Sequence, residues 1–333
     1  MSTTTQDPFG VQPSPTRGDA EPNYADPARE RRVGAVVPFF KANLVEHEPQ
    51  TALVNQLLGY MSAMRPLIGG PIDGRRLSEH SNAGKSRMIE QLIATAAQRR
   101  AEQGLPSNPY QIIYVELDKT TSVHSFFRQI LNKLGDEHWD DKRAALDELE
   151  ERIKDFSRRL GVEALVGDEV QHLDRKSNNA TQVTDRLKTF LNRGILPLIL
   201  VGDENSEPFF ENNPQFASRL GRPLCLRPLN FRENARDRKL MLAFCNELDQ
   251  SLVDGGIMDE ISGLGRSGIR SQLCTVAGGH VGRVCRVVCE AAQHALYRGS
   301  PVIERHDLSI ATREYAIKLK WIFHDPFSHR VAA

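Results

Sequence analysis

The sequence predicts an α/β fold: a three-layer αβα core around a parallel sheet, followed by an all-α lid domain. Three observations carry this prediction. Apolar strand-like runs alternate with helical ones between residues 74 and 202, the pattern of a parallel sheet covered on both faces. The run Asn82-Ala83-Gly84-Lys85-Ser86 stands where the first strand gives way to a helix. Strand signals end after Pro228, and residues 235–320 are mostly helical by pattern.

The elements follow in order. Residues 1–30 offer little apolar side chain to bury and are predicted to be a disordered tail. Residues 31–68 form an N-terminal helical extension, with Leu53, Val54, Leu57, Leu58 and Met61 placing a helix at about 50–64. Gly69-Gly70-Pro71 breaks it and opens the core, residues 69–232. Within the core, Gly74–Leu77 is a polar first strand and Lys85–Gln103 the helix after it. Gln111–Leu117 is a strong strand, followed by helices at Ser125–Leu134 and Asp140–Leu160. Ala164–Gly167 is a buried strand, Thr181–Asn192 a helix, and Ile195–Gly202 another apolar strand. The lid, residues 233–325, carries helices at Arg236–Gln250, Ile257–Ser262, Arg266–Ala277, Gly282–Tyr297 and Arg305–Lys318, and 326–333 is a tail.

The 333 residues carry 43 basic and 43 acidic side chains, so the chain lacks the global basic field of a protein that coats nucleic acid. A local patch or an assembly of subunits could still bind DNA. No apolar run approaches the roughly 18 residues of a membrane span, and residues 1–27 lack a basic-then-apolar secretion signal. Cys225, Cys245, Cys274, Cys285 and Cys289 are odd in number and scattered, which reads as free thiols in a reducing, cytoplasmic compartment.

A loop of exposed backbone N–H groups at a helix N-terminus meets phosphate charge without needing many side chains. Ser81, Asn82, Ala83, Gly84, Lys85 and Ser86 are the candidate loop. Gly84 would let the chain pass close to the phosphates, Lys85 would reach the β and γ oxygens, and the Ser86 hydroxyl would ligate Mg²⁺. The full pattern would place its first glycine at position 79, where this chain has Glu79. The second motif is Ala164-Leu165-Val166-Gly167-Asp168-Glu169, a strand ending in two carboxylates. Strand ends of this kind face the ligand crevice of an open α/β sheet. Asp168 would hold Mg²⁺ and Glu169 would polarise the attacking water. His172, three residues after Glu169, reads as a polar neighbour rather than a metal ligand.

Three further positions are candidates. Asp203 and Asn205 follow the strand at 195–202, where a polar side chain could meet the γ-phosphate or its water. Arg219, with Arg222 behind it, follows a short helical run and could enter a neighbouring subunit's site. Gly278-Gly279-His280-Val281-Gly282-Arg283 opens a lid helix and would bring Arg283 to the nucleotide, leaving Arg286 solvated.

These motifs, with Asp185–Leu191, Leu196–Gly202 and Gln215–Leu220, resemble the TniB-type AAA+ ATPases of bacterial transposons, which are similar to TnsC-type regulators. The resemblance spans roughly residues 40–325. It implies an αβα AAA+ P-loop core with a helical lid, ATP and Mg²⁺ as cofactors, and ATP-driven homo-oligomerisation, as a ring or helical filament, on double-stranded DNA. It also implies recruitment of a DDE transposase, with a TniQ-like targeting protein as a further partner. By the same resemblance Lys85 and Ser86 match Walker A, Asp168 and Glu169 match Walker B, and Asp203 matches sensor 1. Arg219 matches the arginine finger and Arg283 matches sensor 2. Glu79 replaces the usual glycine and Asp203 the usual Thr or Asn. Similar proteins grip DNA after the second core strand, which here points to Lys119 and Thr121. A replication loader or initiator ATPase shares the same motifs, and a nucleotide-locked scaffold that does not hydrolyse is the other alternative.

Overall fold

The structure, a computed structural model, describes residues 27–43, 45–80, 82–119, 121–174, 180–211 and 213–328. Helices α1 (Pro27–Ala42) and α2 (Glu48–Met64) precede the sheet. Strand β1 (Arg75–Ser78) leads to α3 (Lys85–Glu102), and β2 (Ile112–Glu116) to α4 (Val123–Lys133) and α5 (Leu146–Leu160). Strand β3 (Ala164–Asp168) leads to α6 (Gln171–Asp174) and α7 (Ala180–Asn192), and β4 (Leu198–Gly202) to α8 (Glu207–Glu211) and α9 (Pro214–Arg219). The lid is α10 (Ala235–Asp254), α11 (Ser267–Ala277), α12 (Val281–Arg298) and α13 (Arg305–Ala311).

The four strands pair in parallel in the order β1-β4-β3-β2. A further parallel bridge joins Leu77 to Leu224 on the free side of β1, with Leu224 N donating to Arg76 O at 2.9 Å. Side chains alternate across each strand. Leu77, Val166, Ile199 and Val201 pack against Leu53, Leu57 and Met61 of α2 and Met88 and Leu92 of α3. Leu165, Leu198 and Leu200 face the other layer, where Phe126, Phe127, Phe190, Phe210 and Phe216 meet. The expected three-layer αβα arrangement results.

The polarity of β1 has a packing explanation. Arg75 lies 4.7 Å above the Tyr60 ring of α2, and Arg76 lies 5.0 Å above the Phe210 ring of α8. Each guanidinium stays over an aromatic face while its alkyl stem covers apolar surface. Arg76 also reaches Glu207 at 3.4 Å.

Several expectations are corrected. The tail expected to be disordered through residue 30 is helical from Pro27, while residues 1–26 lie outside the described part. Arg29 Nη1 donates to Tyr297 O at 3.2 Å and Arg32 pairs with Asp259 at 2.8 Å, which ties the start of α1 to the lid. Val33 and Val36 join the lid core, whereas α2 belongs to the sheet. No helix forms at 257–262. There the buried Asp249 carboxylate accepts from Ser262 N, Gly263 N and Leu264 N at 2.9, 2.6 and 2.9 Å, satisfying loop amides that a helix would otherwise use. The helix expected from Asp140 begins at Leu146, because Asp136 instead holds the preceding turn through His138 N (2.8 Å) and Arg152 (2.6 Å). The last helix loosens after Ala311 into a π-type stretch, Thr312–Ile317. No helix among the described residues is long and apolar enough to cross a membrane.

Candidate functional site

The loop between β1 and α3 turns on two left-handed residues, Asn82 (φ 62°) and Gly84 (φ 105°). Gly84 caps α3, and among the described residues no capping side chain takes the first amides of the helix. Those N–H groups and the positive end of the helix are therefore available to an anion. Lys85 is buried, and its Nζ donates to Glu79 O at 2.7 Å and His80 O at 3.2 Å. Glu79 explains its own departure from the glycine pattern. Its φ is not positive, and its Oε1 accepts from Leu226 N at 2.7 Å, tying the loop to the chain just beyond the Leu224 bridge. Ser81 lies outside the described residues.

The acidic end of β3 sits beside this loop because β4 alone separates β3 from β1. Asp168 is buried; its Oδ2 accepts from Tyr114 Oη on β2 at 3.0 Å and its Oδ1 from Glu169 N at 2.9 Å. Burial holds the Asp168 carboxyl above its ordinary pKa. Burial, and then the Asp168 charge, pushes the Tyr114 hydroxyl up as well. Glu169 has φ 60°, a conformation that L side chains rarely adopt and that clusters at functional sites. Gln171 Nε2 donates to its carboxylate.

A cavity of about 730 Å³ joins these elements. Asn82, Gly84, Lys85, Ser86 and Glu169 line its core side, and Val281, Gly282, Cys285, Arg286 and Cys289 of α12 line its lid side. Val37 and Phe40 of α1 with Phe244 and Leu248 of α10 supply an apolar end. Gly282 fixes the closeness of the two halves: a Cβ there would overlap the Asn82 carbonyl oxygen and lie 3.2 Å from Gly84 N. Ser86 lines the cavity, while Asp168 is buried at the end of β3 next to the lining residue Glu169; a hydroxyl and a carboxylate are the oxygen donors that Mg²⁺ would take from the protein. That donor set fits a cation that takes its remaining ligands from phosphates and water. Among the described residues no cluster of three His, Cys, Asp or Glu side chains could hold a metal by itself.

The other expected residues are placed as follows. The Asp203 carboxylate accepts from Asn205 N and Nδ2, both at 2.9 Å, so the two candidates at the end of β4 bind each other. Arg283 does not line the cavity; its guanidinium lies 5.0 Å above the Trp321 ring and its buried Nε has no hydrogen-bond partner. Arg286, expected to be solvated, is exposed yet forms part of the cavity wall. Arg219 ends α9 beside Asp73 at 3.6 Å, and its carbonyl accepts from Gly74 N at 2.8 Å. It thus sits at the beginning of β1, about 13 Å of strand away from the loop that leaves its other end. Arg222 is exposed. Lys119 is exposed after β2, but Thr121 is 1% exposed and its hydroxyl donates to Asp118 Oδ1 at 3.1 Å. A Thr121 contact with DNA is therefore corrected: the hydroxyl closes the turn before α4 instead of facing outward.

His280 caps the core–lid seam. Its ring lies 5.4 Å from that of His80, and it is 5% exposed. Burial, then the charges of Arg283 and His80, push its pKa from 6.5 down to about 4. The folded chain therefore holds His280 neutral where the unfolded chain would protonate it. Stability from this group is present above pH 6.5 and is lost as pH falls towards 4, by up to about 3 kcal/mol. Denaturant melts between pH 7 and 4.5 should show this loss. A His280→Asn chain should show a shallower slope over the same window, and an unchanged slope would contradict the assignment.

A parallel P-loop sheet in the order β1-β4-β3-β2, extended by the Leu224 bridge and closed by a four-helix lid, defines the AAA+ class of P-loop folds. The chain belongs to the TniB family: the family model for the bacterial TniB protein matches residues 43–226, as the motifs led us to expect. No curated protein matches this sequence. Solved structures share the fold. The Aeropyrum pernix Orc1 protein, determined in complex with DNA, is 18% identical with a TM-score of 0.58 over 81% of this chain. This chain spans 66% of that protein. Cdc6p from Pyrobaculum aerophilum is 13% identical with a TM-score of 0.56, over 83% of this chain and 70% of its own. Domain III of the Thermotoga maritima replication initiation protein DnaA is 13% identical with a TM-score of 0.50, over 83% and 96%.

Proposed function

We propose that this chain is an ATP-hydrolysing, DNA-binding regulator of transposition that works as a homo-oligomer on duplex DNA. The observation that carries the reading is the shared cavity: the amide-rich start of α3, Lys85 and Ser86 open onto it together with Glu169 and the first turns of α12. The Gly84–Ser86 amides and Lys85 would take the phosphates, and the apolar end near Phe40 and Phe244 would take the base. Mg²⁺ held by Ser86 and Asp168 would supply charge neutralisation at the transferring phosphoryl group. Glu169 would orient and deprotonate the attacking water. Asp203 and Arg283 would sense the γ-phosphate after small movements away from Asn205 and Trp321. Arg219 lies too far from its own cavity for that role, which supports its acting in a neighbouring subunit.

Exposed Lys119 would touch the DNA backbone. In an assembly each weak contact is repeated along the duplex, so a chain with balanced charge can still hold DNA. Transposase and a TniQ-like protein are the proposed partners. The fold shared with Orc1, Cdc6p and DnaA keeps a replication loader or initiator as the second reading, and co-purification with a transposase or with a replicative helicase separates the two. Calorimetry with ATP, followed by electron microscopy with ATP and duplex DNA, tests the main reading. Nucleotide uptake and rings or filaments support it, and the absence of uptake by folded protein ends it. A Lys119→Ala chain should bind duplexes of different sequence more weakly to a similar extent and with a lower salt slope. Unchanged filter binding would remove Lys119 from the interface.

A further inference from the structure

Gln171 stands between the β3 carboxylates and the end of β4, buried at 5% exposure. Its Nε2 donates to Glu169 Oε2, and its Oε1 accepts from Asp203 N at 3.2 Å. The amide can face only this way. Flipped, it would set its oxygen against a carboxylate and its NH₂ against an N–H. The space around it is shaped for it: a Cβ on Gly202 would stand 3.0 Å from Gln171 Oε1 and 2.6 Å from Ser206. Glu169 meanwhile leaves β3 in a left-handed conformation and lines the cavity.

We infer that Gln171 is the positioning residue for Glu169. It sets the carboxylate's place in the cavity and ties it to the backbone at Asp203. The inference rests on the ATPase reading and assigns one residue within it. The amide serves both sides, because Glu169 needs a donor and the Asp203 N–H needs an acceptor. A carboxylate at 171 would keep the second bond and lose the first. A change in the β4 loop would reach the water-activating group through one side chain. The two strand ends would therefore respond together.

The test uses Gln171→Met, which removes both bonds, and Gln171→Glu, which keeps the acceptor for Asp203 N and replaces the donation to Glu169 with a like charge. In both, kcat for phosphate release should fall about 10- to 100-fold, the effect of a misplaced catalytic group. Nucleotide Kd should stay within about threefold of the parent. Amide exchange at Asp203 should rise in Gln171→Met and stay protected in Gln171→Glu. In the Glu169→Gln background neither change should slow hydrolysis further, since the group being positioned is already gone. Three results overturn the inference: parental turnover in Gln171→Glu, equal loss of nucleotide affinity and kcat, or an independent slowing on top of Glu169→Gln. If the parent binds and hydrolyses no nucleotide, the ATPase reading falls and this inference with it. Parental turnover that Glu169→Gln abolishes and Gln171→Glu leaves intact sinks this inference alone.

Discussion

An Arg219→Ala chain is expected to bind nucleotide as the parent does and to lose about 10³-fold in ATP turnover within the assembly. The reason is distance. Arg219 is held at the opening of β1 by Asp73 and by the Gly74 amide, whereas the cavity lies past the strand's other end. A side chain so placed cannot serve its own site, and its removal leaves that site's contacts intact. Mixing gives a sharper result. Subunits carrying Arg219→Ala keep a whole cavity, and subunits carrying Lys85→Ala keep a whole arginine. Each mutant alone should be inactive, and the mixture should recover part of the parental rate, measured as phosphate release against mixing ratio. No recovery in mixtures that still co-assemble would refute action between subunits.

Glu169→Gln should lower turnover about 10²- to 10⁴-fold, the range lost with a general base, while nucleotide stays bound. The substitution is nearly isosteric, so the left-handed backbone at 169 and the Asp168 bond to its amide should persist. Slow release should trap the nucleotide-bound assembly, visible as longer-lived complexes with duplex DNA. Turnover equal to the parent would take Glu169 out of the role proposed for it.

Much of the site was legible because its chemistry is local. Gly84, Lys85 and Ser86 lie on one turn of backbone and the Asp168–Glu169 pair at the end of one strand, so short windows of sequence pick them out. Residues joined across elements were not legible in this way. Nothing around Gln171 in the sequence announces that it reaches both Glu169 and the Asp203 amide. Tyr114 meets Asp168 only because β2 and β3 pair in parallel with Glu116 beside Asp168. Glu79 departs from the glycine pattern, and its carboxylate accepts from Leu226 N, 147 residues away, which no local window of sequence shows. Arg283 and Arg286 lie three residues apart on one helix, and the pattern favoured the first. The direction in which α12 meets the loop put the second on the cavity wall. The resemblance points to Thr121 as a DNA contact, yet a turn closed by Asp118 buries it.

The sequence by itself determined the αβα core with its helical lid and placed the Gly84–Ser86 turn and the Asp168–Glu169 strand end, because alternation of apolar residues and single-turn backbone chemistry are short-range properties. Only the tertiary structure decided that α1 joins the lid, that Gly282 brings α12 against the Asn82–Gly84 backbone, and that Arg219 pairs with Asp73 at the opposite end of β1 from the cavity. Those outcomes depend on which surfaces meet, and contact between distant segments is set by the packing of whole elements rather than by any window of residues.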